Sequence, residues 1–231
     1  MNYISKKSSY SKTKRNITSN DDYLVHCITH KATDLSGIIS FGDLTVMFID
    51  SNYNLSSPMS FISRCIGKTL FSKETFNQET IRTFLKDIDE SFYQNDKVSR
   101  CLVAIWGNGE SNIIGKSGGQ LDCYSIFRSG WDEGAAYNEL FVRTLSSERD
   151  FFVGSGASIP IVDMVGENES IAVISNSLKY HLSSCGVDWG DYLISKGNLA
   201  LMSEDYFLSD LYQQIEKKPV STNDLFCFVK R

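Results

Sequence analysis

The sequence predicts an α+β chain built from two antiparallel sheets flanked by helices, and three observations carry that prediction. Strand-like runs arrive in groups and helix-period segments arrive in groups, whereas a parallel βαβ sheet would alternate them one by one. The run LTVMFI (44–49) is apolar on both faces, as suits a central strand covered on each side. Only three prolines occur in 231 residues, and no low-complexity linker follows residue 20, so nothing marks an internal domain boundary.

Each element follows from its local pattern. YLVHCITH (23–30) is rich in β-formers and reads as a strand. GIISFGDLTVMFID (37–50) reads as two strands joined by a Gly42-Asp43 turn, the second running into the carboxylate of Asp50. Two helices come next. Phe61, Ile62, Cys65, Ile66 and Leu70 form one apolar stripe behind Pro58, and Ile81, Phe84, Leu85, Ile88 and Phe92 form another at i, i+3, i+4, i+7 spacing. Arg82, Lys86, Asp89 and Glu90 occupy the face opposite that second stripe, which predicts a solvated surface.

RCLVAIWG, SNIIGKSG and LDCYSIFR then read as a three-stranded meander, turning at Asn108-Gly109 and at Gly118-Gly119. Residues 129–169 show no period, interrupted by Gly130, Gly134, Gly154 and Gly156. SIAVIS is a further strand with a short helix from about Leu178. A helix over 205–216 presents Phe207, Leu208, Leu211, Tyr212 and Ile215 on one face, and DLFCFVK closes the chain as a strand.

Charge and cysteine content exclude several functions. Residues 1–15 hold five basic residues and no acid, while the rest of the chain holds 18 basic against 28 acidic residues. An acidic body argues against nucleic-acid binding, and residues 1–19 read as a basic, flexible N-terminal segment ahead of a domain over 20–231. No run is long enough for a membrane-spanning helix and no secretory leader opens the chain, so a cytoplasmic protein is expected. None of the six cysteines has CxxC spacing, and most lie in apolar stretches, which predicts buried free thiols.

Three motifs invite a function and fail on inspection. Gly115-Lys116-Ser117 resembles the end of a phosphate-binding loop, but Glu110 stands where that loop needs glycine, and a strand follows where it needs a helix. His26, Cys27 and His30 would need further ligands to hold zinc. His181 with Ser183 or Ser184, near Cys185, has no nucleophile elbow around it. Polar residues at strand ends are more informative. Asn20-Asp21-Asp22 precede one strand, Asp50 ends another, Ser175-Asn176-Ser177 follow SIAVIS, and Asn223-Asp224 open the last strand. Hard divalent cations take oxygen ligands of this kind.

In that order, these segments resemble the short acidic motifs of the metal-dependent protein phosphatases of type 2C (PPM), over about residues 20–230. Asn20-Asp21-Asp22 resembles the N-E-D element. VMFIDS resembles the strand ending in D-G, with Ser51 in place of glycine. Cys101-Leu-Val-Ala-Ile105 is similar to T-x-V-x-A, and Gly115-Lys116-Ser117-Gly118 to G-D-S-R. Val173-Ile174-Ser175-Asn176-Ser177-Leu178 is similar to L-x-S-D-G-L, and Asn223-Asp224-Leu225-Phe226 to the closing D-N.

The resemblance implies a four-layer α-β-β-α sandwich and a centre of two Mn²⁺ or Mg²⁺ ions that share the D-G aspartate. Carried over, Asp21, Asp22, Asp50 and the backbone of Ser51 would retain one half of that centre. Asn176 and Asn223, with Asp224 next in sequence, would form the other half, where two amides replace carboxylates. The family's phosphate-holding arginine would fall at Ile17, and Arg15 is the nearest candidate. An amide keeps the oxygen but removes a full negative charge, which weakens a dication site sharply. The resulting expectation is a pseudophosphatase that holds at most one Mn²⁺ or Mg²⁺ and acts by binding a protein partner such as a phosphoprotein or kinase. The alternatives are two. One is an active Mn/Mg-dependent Ser/Thr phosphatase in which Asp224, Asp188 or Asp191 supplies the missing ligands. The other is a scaffold or assembly subunit whose contact surface includes Trp131, Tyr137 and Phe141.

Overall fold

The structure is a computed structural model that describes residues 2–5, 14–17, 23–28, 35–41, 44–50, 62–68, 77–95, 99–107, 111–119, 121–129, 139–145, 153–157, 159–166, 168–202, 204–218 and 225–230. Its strands are β1 (Asn2–Ser5), β2 (Lys14–Ile17), β3 (Tyr23–Ile28), β4 (Leu35–Phe41), β5 (Leu44–Asp50), β6 (Ser99–Gly107), β7 (Ser111–Gly118), β8 (Leu121–Ser129), β9 (Glu139–Thr144), β10 (Ile161–Gly166), β11 (Ser170–Ser175) and β12 (Leu225–Lys230). Its helices are α1 (62–68), α2 (Gln78–Gln94), α3 (Asn176–Ser184), α4 (Trp189–Met202) and α5 (Glu204–Ile215). The predicted α+β class with two antiparallel sheets is the one observed. The sheets run β1-β4-β5-β6-β7-β10 and β2-β3-β12-β11-β8-β9.

Each sheet organises one of two compact units. The first comprises Met1–Ser9, Lys31–Leu121 and Ser146–Glu167, and the second Tyr10–His30, Asp122–Leu145 and Asn168–Arg231. Both units are assembled from three separate stretches of chain, which is why composition marks no boundary between them.

In the first unit, β4 and β5 pair antiparallel with Phe41 opposite Leu44, and Gly42 and Asp43, where the turn was expected, lie outside the described residues. Residues 44–48 are all buried, so β5 is covered on both faces as its sequence demands. Leu44, Val46 and Phe48 pack with Leu102, Ala104 and Ile113 against α1 and α2. Asn77 caps α2, its Oδ1 accepting from the Thr80 amide at 2.9 Å. The predicted stripe of Ile81, Phe84, Leu85, Ile88 and Phe92 is at most 1% exposed, each side chain contributing roughly 1.5–3 kcal/mol by its burial. Of the α1 stripe, Ile62, Cys65 and Ile66 are buried in the same core, while Pro58, Phe61 and Leu70 lie outside the described residues.

In the second unit α3, α4 and α5 pack on the sheet around Ile126, Ala172, Ile174 and Cys227. Trp189, Tyr192 and Phe207 form an aromatic cluster there, with ring centroids 5.5–6.4 Å apart.

Several elements differ from the sequence reading. Asp89 is buried, not solvated: its Oδ1 accepts the Gly154 N–H at 2.5 Å, so a segment brought from 65 residues away covers that part of α2. The meander stops after β7, because Gly118, at φ 90°, turns the chain out of the first sheet and β8 joins the second. The unreadable stretch 129–169 contributes β9 to one sheet and β10 to the other. α4 has buried positions at helical spacing, but Gly190 and Gly197 obscure its period. A Cβ on Gly197 would lie 2.6 Å from Leu140 Cδ2, so this glycine permits close helix–sheet approach and does not end the helix. Within residues 1–19, expected to be a flexible tail, β1 pairs with β4 and β2 with β3. All five cysteines whose state is described are free, four of them buried.

Candidate functional site

The first unit presents the carboxylate that the sequence singles out. β5 ends at Asp50, which sits opposite Leu35 on β4 and Ser99 on β6, with a register irregularity between Ile49 and Asp50. The hairpin therefore brings the entry to β4 beside the exit from β5. The residue before Leu35 is Asp34. It lies outside the described residues, and the sequence reading passed over it because Asn20-Asp21-Asp22 fit the expected letters better. The signal that brings it forward is its place in sequence next to Leu35, which is opposite Asp50.

Gly115-Lys116-Ser117 lies within β7. A Cβ on Gly115 would stand 2.4 Å from Ile81 Cγ2 and 2.7 Å from Leu85 Cδ1, so the glycine admits α2 against the sheet and forms no phosphate loop. Lys116 and Ser117 are both buried.

The second unit carries Asn176. β11 ends at Ser175, whose hydroxyl accepts from the Leu178 amide at 3.2 Å and caps α3. Asn176 is therefore the first residue of that helix, two positions earlier than the sequence suggested, and its Oδ1 is buried. A helix N-terminus favours negative charge, yet the first turn of α3 contains no acid.

Strand register decides which sequence candidates share an end of this sheet. Ile174 is opposite Cys227, so the end of β11 and the start of β12 lie at the same end. Tyr23 is opposite Lys230 and Ile28 opposite Leu225, so the chain enters β3 at the other end. The end of β11 thus lies at the same end of the sheet as Leu225, the first residue of β12, and not as Tyr23, the first residue of β3. Asp21, Asp22, Ser51, Asn223 and Asp224 themselves lie outside the described residues. Arg15 lies in β2 opposite His26, so its backbone belongs to a sheet.

Other polar groups of this unit serve its packing. Lys179 of α3 bonds to the Asp122 carboxylate of β8. Burial by itself would lower the Lys179 pKa, but the bond to and charge of Asp122 raise it above its ordinary value, while burial and then Asp122 raise that of Tyr124. The Tyr192 hydroxyl donates to Asp210 at 3.0 Å, and burial, with Asp210 second, pushes its pKa up. Buried His181 has Nε2 3.0 Å from the Ile215 carbonyl oxygen and 3.7 Å from Cys185 Sγ, an arrangement without a nucleophile–base–carboxylate relay. Asp188 Oδ1 accepts the Asp191 amide at 3.0 Å as the start of α4. Among the described residues no three of His, Cys, Asp and Glu gather to hold a metal, and no helix is long and apolar enough to cross a membrane.

Comparison with known proteins bears on the fold. No protein-family model and no curated protein sequence matches the chain. Solved structures do match over nearly the whole length. PppA of Pseudomonas aeruginosa aligns with TM-score 0.56 and 14% identity, covering 99% of this chain and 97% of its own. The catalytic domain of the serine/threonine protein phosphatase PstP, in complex with two manganese ions, aligns with TM-score 0.57 and 9% identity, covering 99% and 96%. The fold is that of the 2C-type phosphatases. The serine/threonine phosphatase Stp1 of Staphylococcus aureus gives TM-score 0.57 at 12% identity, covering 95% and 94%. At such identities a 2C-type fold is what the likeness establishes. The donor set tests how far a centre of two ions, as PstP holds, fits this chain. A carboxylate at the end of β5 fits a hard dication, whereas the neutral amide at the start of α3 fits it poorly.

Proposed function

We propose that this chain is a divergent 2C-type protein that retains half of a two-metal centre and acts by binding a protein partner, a phosphoprotein or kinase being the class expected. The observation that carries the proposal is Asn176: at the exit of β11, where the resemblance expects a ligand aspartate, the chain has an amide with its Oδ1 buried. The neighbouring Ser175 hydroxyl already accepts the Leu178 amide. Neither group supplies the charge a second Mn²⁺ or Mg²⁺ would require.

The retained half is Asp50 with an acid at the entry to β4. Two carboxylates on one ion must approach within roughly 5 Å, since each oxygen lies about 2.0–2.6 Å from the metal. Asp34, which directly precedes Leu35 opposite Asp50, joins Asp21 and Asp22 as a candidate for that role. The Ser51 backbone, Asn223 and Asp224 remain the other candidate ligands, and Arg15 the candidate phosphate contact. A bound dication would polarise a phosphoryl oxygen and acidify a water. This chain's own contribution is to orient it through the Asp50 carboxylate. PppA, which shares the fold, is described as a key regulatory component of T6SS, and a regulatory, partner-binding role suits a reduced centre.

Calorimetric titration of Mn²⁺ or Mg²⁺ tests the reading, with p-nitrophenyl phosphate and phosphopeptides as substrates. The wild type should bind at most one ion and turn over little or nothing. Asp34→Asn and Asp50→Asn should each abolish binding, and Asn176→Asp/Asn223→Asp should add a second site. Metal-dependent turnover in the wild type that Asp50→Asn removes would establish the active-phosphatase alternative instead. Binding lost in Asp21→Asn or Asp22→Asn but kept in Asp34→Asn would return the ligand role to residues 21–22.

A further inference from the structure

We propose that β9 is a dimerisation edge, and that two copies of this chain join their second-unit sheets through an antiparallel β9–β9 pair centred on Phe141. Among the described residues β9 has a strand neighbour on one side only, β8. Its sequence, ELFVRT, carries no proline, lysine or bulge of the kind that protects exposed edges.

Hydrogen-bond phase determines which of its groups face outward. The Leu145 N–H donates to the Cys123 carbonyl at 2.8 Å, extending the ladder in which Tyr124 is opposite Thr144 and Phe127 opposite Phe141. Hydrogen-bonded pairs alternate in an antiparallel ladder, so 143, 141 and 139 also turn their backbone groups toward β8. Leu140, Val142 and Thr144 then direct their N–H and C=O groups away from the sheet. A two-fold pairing that sets Leu140 opposite Val142 of the second copy satisfies those groups.

That register has a chemical consequence. It places Phe141 opposite Phe141 and Glu139 opposite Arg143, both in the non-hydrogen-bonded class where Cα atoms approach to about 4.5 Å and side chains interact most closely. Shifting the pairing to centre on Val142 or on Leu140 keeps the phase but sets Phe141 against Arg143 or against Glu139. Only the Phe141-centred register pairs opposite charges, twice, around a stacked aromatic centre. Phe141 is 39% exposed and already stacks on Phe127 at 5.7 Å, so a rigid apolar platform is present. Arg143 is exposed, 3.6 Å from Glu169 within its own unit. The pairing is self-complementary, as a closed two-fold interface requires.

Sedimentation over a concentration series tests this on the full chain, with thermal melts by circular dichroism confirming that each variant folds. The wild type should dimerise. Arg143→Glu and Glu139→Lys, which set like charges opposite each other, should each weaken the dimer about tenfold, and Glu139→Arg/Arg143→Glu should restore it. Glu139→Lys leaves the Arg143–Glu169 pair in place, so its effect reads the interface alone. A wild type that stays monomeric throughout overturns the proposal, as does a dimer whose affinity in both single variants is unchanged from that of the wild type.

Discussion

The two units hold helices against a sheet by different means. In the first, the long helix α2 covers the sheet through an almost unbroken apolar stripe, and one buried carboxylate, Asp89, ties the 153–157 segment to it. In the second, three helices share the task, and polar struts connect them: Asp122 to Lys179, Tyr192 and Lys196 to Asp210, and Arg128 to Asn198. A single long helix can align its whole apolar face with the sheet. Several shorter helices leave seams, and groups at a seam are stable only when hydrogen-bonded. The difference predicts that removing one apolar side chain from the first-unit core costs more than removing one polar strut from the second.

The largest effect should come from Phe84→Ala in the first unit, where the side chain is 1% exposed. A loss of about 3–5 kcal/mol is expected by denaturant unfolding, independent of pH from mildly acidic to alkaline. Native-state hydrogen exchange should accelerate in β5–β7 before the second-unit strands. Equal acceleration in both sheets would show that the units do not open separately.

Asp89→Ala comes next, at about 1.5–3 kcal/mol, because it strands the Gly154 N–H. It should also expose 153–157 to limited proteolysis. Unchanged cleavage there would remove Asp89 as the anchor of that segment.

The smallest effect, and the one that marks the second unit, is Asp122→Asn. Its loss should be about 1 kcal/mol, since Lys179 is partly exposed and solvent screens the pair. The pH dependence carries the sign. The Lys179 pKa is raised in the folded state, so the stabilisation is complete below its ordinary value of 10.5 and disappears as pH rises through the higher folded value. Wild type should lose this contribution in that alkaline window, and Asp122→Asn should not. Parallel melting curves for the two proteins above pH 10.5 would refute the coupling.

Much of the first unit was legible because its signals are local. The β5 run, the α2 stripe and the position of Asp50 at a strand end follow from side-chain periods of two and 3.6, which neighbouring residues alone establish. The β4–β5 pairing was legible as two strands around Gly42-Asp43, but its register, with Leu35 opposite Asp50, came from the fold. In the second unit α4 was missed because Gly197 reads as a breaker until Leu140 and Ile126 are seen against it. Asp89 read as solvated because nothing near it in sequence announces Gly154.

By itself, then, the sequence determined the α+β class, the central strand, the amphipathic helices and the amide side chain at residue 176. Tertiary structure alone decided that β8 leaves the sheet of β7, that Asp89 is buried, that β9 forms an edge, and which strand ends lie together. The reason is physical. A residue's pattern with its neighbours fixes which face it presents, but the partner of that face comes from a distant part of the chain, and only the folded register names it.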